Sequence, residues 1–82
     1  MTPEQSVANF RRNIRSLLTE TGAQARLAER AGIDRHYLSA LLAGKKTPGL
    51  ALAYKIAEAA GFDLAQLALP EKKFRATALG RR

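Results

Sequence analysis

The side chains that could do chemistry in this 82-residue sequence are mainly cationic. Fourteen Lys and Arg residues outnumber seven Asp and Glu residues, which gives a net charge of +7 and a pI near 10.6. Such a charge favours binding to a polyanion, with nucleic acid first and an anionic membrane surface second. The arginines among them carry a forked guanidinium, which has the geometry needed to donate to guanine O6 and N7.

The sequence offers little for catalysis or for metal binding. It has no cysteine, which excludes disulfides, thiolate metal sites and cysteine nucleophiles, and a single histidine, His36, cannot build a histidine-rich metal site. No pair of carboxylates lies at a useful helical spacing, and no nucleophile adjoins a base. These features predict a protein that is not an enzyme and that holds no cofactor and no metal.

The spacing of small and apolar residues over 24–43 predicts two short helices joined by a tight turn. Ala28 is small enough to let two helix backbones approach, and Gly32, four residues later, suits the left-handed conformation that the turn needs. Leu38 is spaced to pack the second of these helices against the first. Asp34 is a good N-cap for that second helix. Together these positions predict a helix-turn-helix.

The elements around this motif are also predicted to be helices, because Ala and Leu dominate and the alternation typical of strands is missing from the sequence. Left-handed residues commonly end helices, and glycines separate the helical stretches at Gly22, Gly32, Gly44 and Gly61. The sequence therefore predicts a compact all-α domain of five helices. Their expected first or capping residues, in chain order, are Thr2, Gln24, Asp34, Thr47 and Asp63.

The sequence predicts a folded domain over residues 1–70 and a basic C-terminal tail over residues 71–82. Pro70 is expected to end the fifth helix, and the tail after it holds five basic residues and one acidic residue. We expect this tail to be mobile or partly helical. Phe74 in the tail and the region of the fourth and fifth helices are candidate dimer surfaces.

Three stretches make the chain resemble the lambda/434 repressor–Cro, or XRE-type, helix-turn-helix family. They are NIRSLL at 13–18, QARLAERAGIDRHYLSALLAGKKTP at 24–48 and KIAEAAGFDLAQL at 55–67. The resemblance implies an all-α, five-helix domain that binds double-stranded operator DNA, usually as a dimer. It also implies that the second helix spans the DNA backbone and that the third helix enters the major groove.

The resemblance further implies roles for individual residues. Gln24 corresponds to a family glutamine that contacts a phosphate at the start of the second helix. The positions where the family reads bases are occupied by Arg35, His36, Ser39 and Ala40. Ala40 can offer only a methyl contact, for example to thymine. Lys45 and Lys46 correspond to a basic loop beside the DNA backbone, and Tyr37 is expected either to be partly buried or to donate its hydroxyl to a phosphate.

Some positions depart from the family pattern. Leu18 and Leu42 stand where many members have a buried arginine and a glutamate, so an apolar contact is expected to replace that ion pair. Ala23 occupies the usual capping position of the second helix, and Thr21 is the candidate cap instead. These departures affect the angle at which the second helix begins, but not the fold.

These observations predict a sequence-specific regulator of transcription, expected to be a prokaryotic or phage-like repressor that binds DNA as a homodimer in the cytoplasm, at the nucleoid. No apolar run reaches the roughly 18 residues of a spanning helix, and no secretory signal is visible. Two alternatives stay open. One is an antitoxin that represses its own operon and binds an acidic toxin through the basic tail; the other is a basic module that binds a protein or a membrane surface.

Overall fold

The computed structural model describes residues 1–79 of the chain, and these residues form six α-helices and no strand. In chain order the helices are α1 (Pro3–Leu17), α2 (Ala23–Ala31), α3 (Arg35–Leu42), α4 (Leu50–Ala60), α5 (Leu64–Leu67) and α6 (Glu71–Leu79). The five predicted helices are all present, so the all-α fold class is confirmed. The sixth helix was not predicted as a separate element.

Local capping explains where several helices begin. Thr2 caps α1 through a capping box, in which its hydroxyl oxygen accepts from the Gln5 N–H (3.1 Å) and the Gln5 side chain accepts from the Thr2 N–H (2.8 Å). Asp63 and Gln66 form the same arrangement at α5. The predicted start of α4 at Thr47 is wrong. Gly49 is still extended (φ −71°, ψ 166°), and because glycine has a low helix propensity, α4 begins only after it.

The hydrophobic core is built from apolar residues of all six helices. Helix α2 packs against α3 and α4, while α1 packs against α3, α5 and α6. The largest apolar side chains that are fully buried are Ile14, Leu27, Leu38, Leu41, Ile56 and Leu67. Burying such a side chain contributes about 1.5–3 kcal/mol. Two of these side chains, Leu38 and Leu41, belong to α3, so one side of that short helix is packed in the core.

The described part of the predicted tail is a helix that packs on the domain. Phe74 of α6 is only 3% exposed, and its ring centroid lies 5.3 Å from that of Phe62. Phe74 is therefore a core residue, and the prediction that it forms a dimer surface is wrong because its apolar ring is already covered. Residues 80–82 of the predicted tail lie outside the described residues.

Asparagines of α1 hold the chain where α5 leads into α6. The side-chain amide of Asn13 donates to the carbonyls of Leu67 (2.9 Å) and Leu69 (2.8 Å), and Asn9 donates to the carbonyl of Ala68 (3.0 Å). These carbonyls lie at or just beyond the end of the four-residue helix α5 and would otherwise lack donors. The hydrogen bonds thus tie the C-terminal part of the chain to α1.

Candidate nucleic-acid interface

The turn between α2 and α3 is built around Gly32. This glycine is left-handed (φ 71°), and the Ile33 N–H beyond it donates to the Ala28 carbonyl at 3.0 Å. A Cβ added at Gly32 would meet nothing within 4 Å. The turn therefore requires glycine because of the backbone conformation and not because of crowding.

Helix α3 has one side in the core and the other in solvent. Leu38 and Leu41 are completely buried, and Leu42 is nearly so. Asp34 caps the helix as predicted, since its Oδ1 accepts from the His36 N–H at 2.6 Å. The outward side carries the exposed side chains of Arg35, His36 and Ser39. The structure thus brings these predicted base-reading residues together on one rigid, short helix.

The remaining predicted residues of this region border the exposed side of α3. Tyr37 and Ala40 are half-buried, and the ring of Tyr37 packs against the core. Lys45 and Lys46 are exposed in the loop after α3. That loop begins with Gly44, which is left-handed (φ 87°), and the Lys45 N–H donates to the Ala40 carbonyl at 2.9 Å. The backbone that carries the two lysines therefore has a fixed direction relative to α3.

Gln24 lies in the first turn of α2 and is half-buried. The N-cap residue of α2 is Gly22 (φ 81°), and no side chain caps the helix. The expectation that Thr21 would cap it is wrong, because Thr21 lies one residue too early for its hydroxyl to accept from the first turn. The N–H groups beside Gln24 are left without a side-chain acceptor.

In the described part of the chain, the cations around α3 form no ion pair with a carboxylate. Within residues 1–79 the ion pairs join Arg12 and Arg75 to Glu71, and Arg26 to Glu20. None of those pairs involves Arg35, Lys45 or Lys46. Their charges are therefore available to a polyanion.

Two arginines of α1 also reach this region, and sequence reasoning missed them. Arg11 donates from Nε to the Leu41 carbonyl (2.8 Å) and from Nη2 to the Lys46 carbonyl (2.9 Å). Arg15 donates from Nη1 to the Leu42 carbonyl (3.2 Å). These carbonyls lie at or just beyond the end of α3, where helix carbonyls lack intrahelical donors. The sequence shows that Arg11 and Arg15 directly follow the apolar Phe10 and Ile14 and lie four residues apart on one edge of the apolar face of α1. This spacing places both arginines beside a neighbouring element, but it does not specify which carbonyls they contact.

The two leucines that replace the expected ion pair lie near each other. Leu18 packs against the core cluster that includes Leu42. Both side chains line an open hollow of about 380 Å³ between the start of α2 and the end of α3, which is completed by Arg15, Gln24 and Ala43. The polar members of this hollow are an arginine and a glutamine, with no carboxylate among them.

Comparison with known proteins identifies the family. A family model described as helix-turn-helix, of the XRE/Cro-C1 type, matches residues 23–67, which is more than half of the chain and spans α2 to α5. No curated protein and no solved structure matches the chain. Among the described helices, none has the length and apolar character needed to cross a membrane. Domains with this motif bind DNA and are typically not enzymes. The chain therefore belongs to the XRE/Cro-C1 type of helix-turn-helix family, whose members are DNA-binding domains.

Proposed function

We propose that this protein represses transcription by placing α3 in the major groove of a specific DNA operator. The observation that carries the proposal is the outward side of α3, where Arg35, His36 and Ser39 are exposed on a helix whose opposite side is fully buried. An α-helix with its side chains is about 10–12 Å across and fits the major groove, which is about 12 Å wide. Arg35 then donates to guanine O6 and N7, and Ala40 meets a thymine methyl group.

Phosphate contacts would fix the orientation of α3 in the groove. Lys45 and Lys46 are exposed and lie outside the ion pairs of the described residues, and Gln24 stands at the start of α2 with a free amide to donate. Tyr37 adds a hydroxyl at the edge of the same face. Such contacts position the protein without reading sequence. They also make affinity fall with salt, by about 0.9 log units per phosphate contact for each tenfold rise in salt concentration.

We infer that the DNA-binding unit is a homodimer that pairs through α4. Leu50 and Tyr54 lie one turn apart on this helix and are 70% and 58% exposed. An apolar groove of about 260 Å³ adjoins Leu50 and is lined further by Val7, Phe10, Ala53, Leu64 and Ala68. In a two-fold dimer, the Leu50 side chain of each copy enters the groove of the other. Half-sites would then lie roughly 34 Å apart on the DNA.

Selection of duplexes from a random pool, read by sequencing, tests the proposed function. We expect enrichment of an inverted repeat with half-sites one helical turn apart. Titrations of the enriched duplex at several salt concentrations should then show a steep decrease in affinity. If no duplex ever outcompetes bulk genomic fragments, the protein is not a sequence-specific regulator.

The same purified protein separates the two alternatives from this proposal. Co-purification with a small acidic protein that also modulates operator binding would favour an antitoxin that regulates its own operon. Binding to anionic vesicles without binding to any duplex would favour a membrane-surface module. We place the protein in the cytoplasm, at the nucleoid, because operator DNA is found there.

A further inference from the structure

We propose that Arg15 of α1 contacts a DNA phosphate directly and that Arg11 positions the Lys45–Lys46 loop for its own phosphate contacts. The inference rests on the DNA binding proposed above. It extends the DNA-binding surface beyond the helix-turn-helix to α1, which lies outside the residues that the family model matches.

Backbone carbonyls hold both guanidinium groups in place without cancelling their charge. Arg11 and Arg15 donate only to carbonyls at the end of α3 and in the loop after it, and neither takes part in an ion pair within residues 1–79. A guanidinium has five N–H donors in a fixed fork, and Arg15 uses one of them on the Leu42 carbonyl. Its other donors remain for a phosphate, which suits the planar fork.

Arg15 also lies where a phosphate contact is already expected. The open hollow between α2 and α3 is lined by exposed Arg15 and by Gln24, which is the residue predicted to contact a phosphate from the start of α2. The other side chains of the hollow are apolar. A phosphate seated there would meet a cation and an amide donor, with no carboxylate among the lining residues to repel it.

Arg11 has a different role, because it is half-buried and spans two parts of the interface. Its Nε bonds to the Leu41 carbonyl in the last turn of α3, and its Nη2 bonds to the Lys46 carbonyl in the loop. The fork thereby fixes the direction of the loop relative to the helix. A lysine at this position would keep the charge but would lack the planar fork.

Salt titrations of arginine variants test the role of Arg15. The variant is Arg15→Met, and the control is Arg30→Met. Like Arg15, Arg30 is exposed and donates to a carbonyl near a helix end, which is that of Ala59 (3.2 Å). Arg15→Met should weaken operator binding about tenfold and reduce the slope of log affinity against log salt by about 0.9. Arg30→Met should leave the wild-type slope unchanged.

The outcomes separate this inference from the proposed function. Suppose that the affinity of the wild-type protein for the operator falls steeply with salt. If Arg15→Met then keeps the wild-type slope, or if Arg15→Met and Arg30→Met reduce the slope equally, the role of Arg15 is overturned while the proposed function stands. A wild-type protein that binds no duplex specifically overturns the proposed function, and this inference with it.

A double-mutant cycle tests the role of Arg11. Arg11→Lys keeps the net charge and should weaken operator binding about fivefold, and Lys46→Ala should cost less in that background than in the wild type. Arg11→Gln is carried through the same cycle, after circular dichroism shows that both variants keep their helices. Losses that simply add would show that Arg11 does not act through the loop.

Discussion

Arg35 and Lys45 are both exposed cations near α3, yet their positions give them different tasks. Arg35 stands in the first turn of α3 on its solvent side, whereas Lys45 stands in the loop that follows. In the proposed complex, only the first can reach the edges of the bases. Base contacts carry sequence information, and phosphate contacts do not.

We expect Arg35→Ala to lower affinity for the selected operator by about 1–3 kcal/mol and to remove the preference for one base pair. Lys45→Ala should weaken binding by the same factor for every duplex, whatever its sequence, and should reduce the slope of log affinity against log salt by about one. Titrations against the operator and against a set of single-base variants measure both effects. Equal patterns of loss for the two substitutions would contradict the division of roles.

At the scale of the element, the helix-turn-helix depends on the left-handed backbone of Gly32. We expect Gly32→Ser to lower the free energy of unfolding by about 1–2 kcal/mol, because a Cβ disfavours this conformation. Gly49→Ser is the matched control, since Gly49 has φ −71° and open space around it, and serine is a good N-cap. Urea unfolding measures both variants. Similar losses at the two positions would show that the turn does not require glycine.

Which features of the helices the sequence could predict depends on how far apart the interacting residues lie along the chain. The capping box at Thr2 and the cap at Asp34 depend on residues two or three positions away, so local rules found them. The start of α4 was misplaced, because a proline at the first turn is only a preference and Gly49 opposed it. The contacts of Arg11 join residues 30 and 35 positions apart, and no spacing rule along the sequence specifies such partners.

At the scale of the whole molecule, α6 packs on the other helices and completes the domain. The low number of apolar residues in the predicted tail did not indicate this packing. Phe74→Ala should lower the free energy of unfolding by about 3 kcal/mol, because it removes a ring buried against Phe62. Arg75→Ala, the neighbouring exposed position, should change it by less than about 0.5 kcal/mol. Denaturant unfolding compares the two variants. A negligible effect of Phe74→Ala would mean that α6 does not stabilise the domain.

The proposed dimer also belongs to this scale. Leu50→Glu should make the protein monomeric, because it places a charge where the apolar groove of the second copy would receive Leu50. Ala51→Glu introduces the same charge at the next, exposed position of α4 and should leave the dimer intact. Sedimentation equilibrium over a range of concentrations distinguishes them. A dimer that survives Leu50→Glu would place the interface elsewhere.

Methylation interference on the selected operator tests the central claim most directly, because methylation of guanine at N7 blocks the major groove and methylation of adenine at N3 blocks the minor groove. We predict that N7-methylguanine within each half-site prevents binding of the wild-type protein. The interference at one guanine should disappear with Arg35→Ala. Interference by N3-methyladenine alone, or by neither modification, would contradict the insertion of α3 into the major groove.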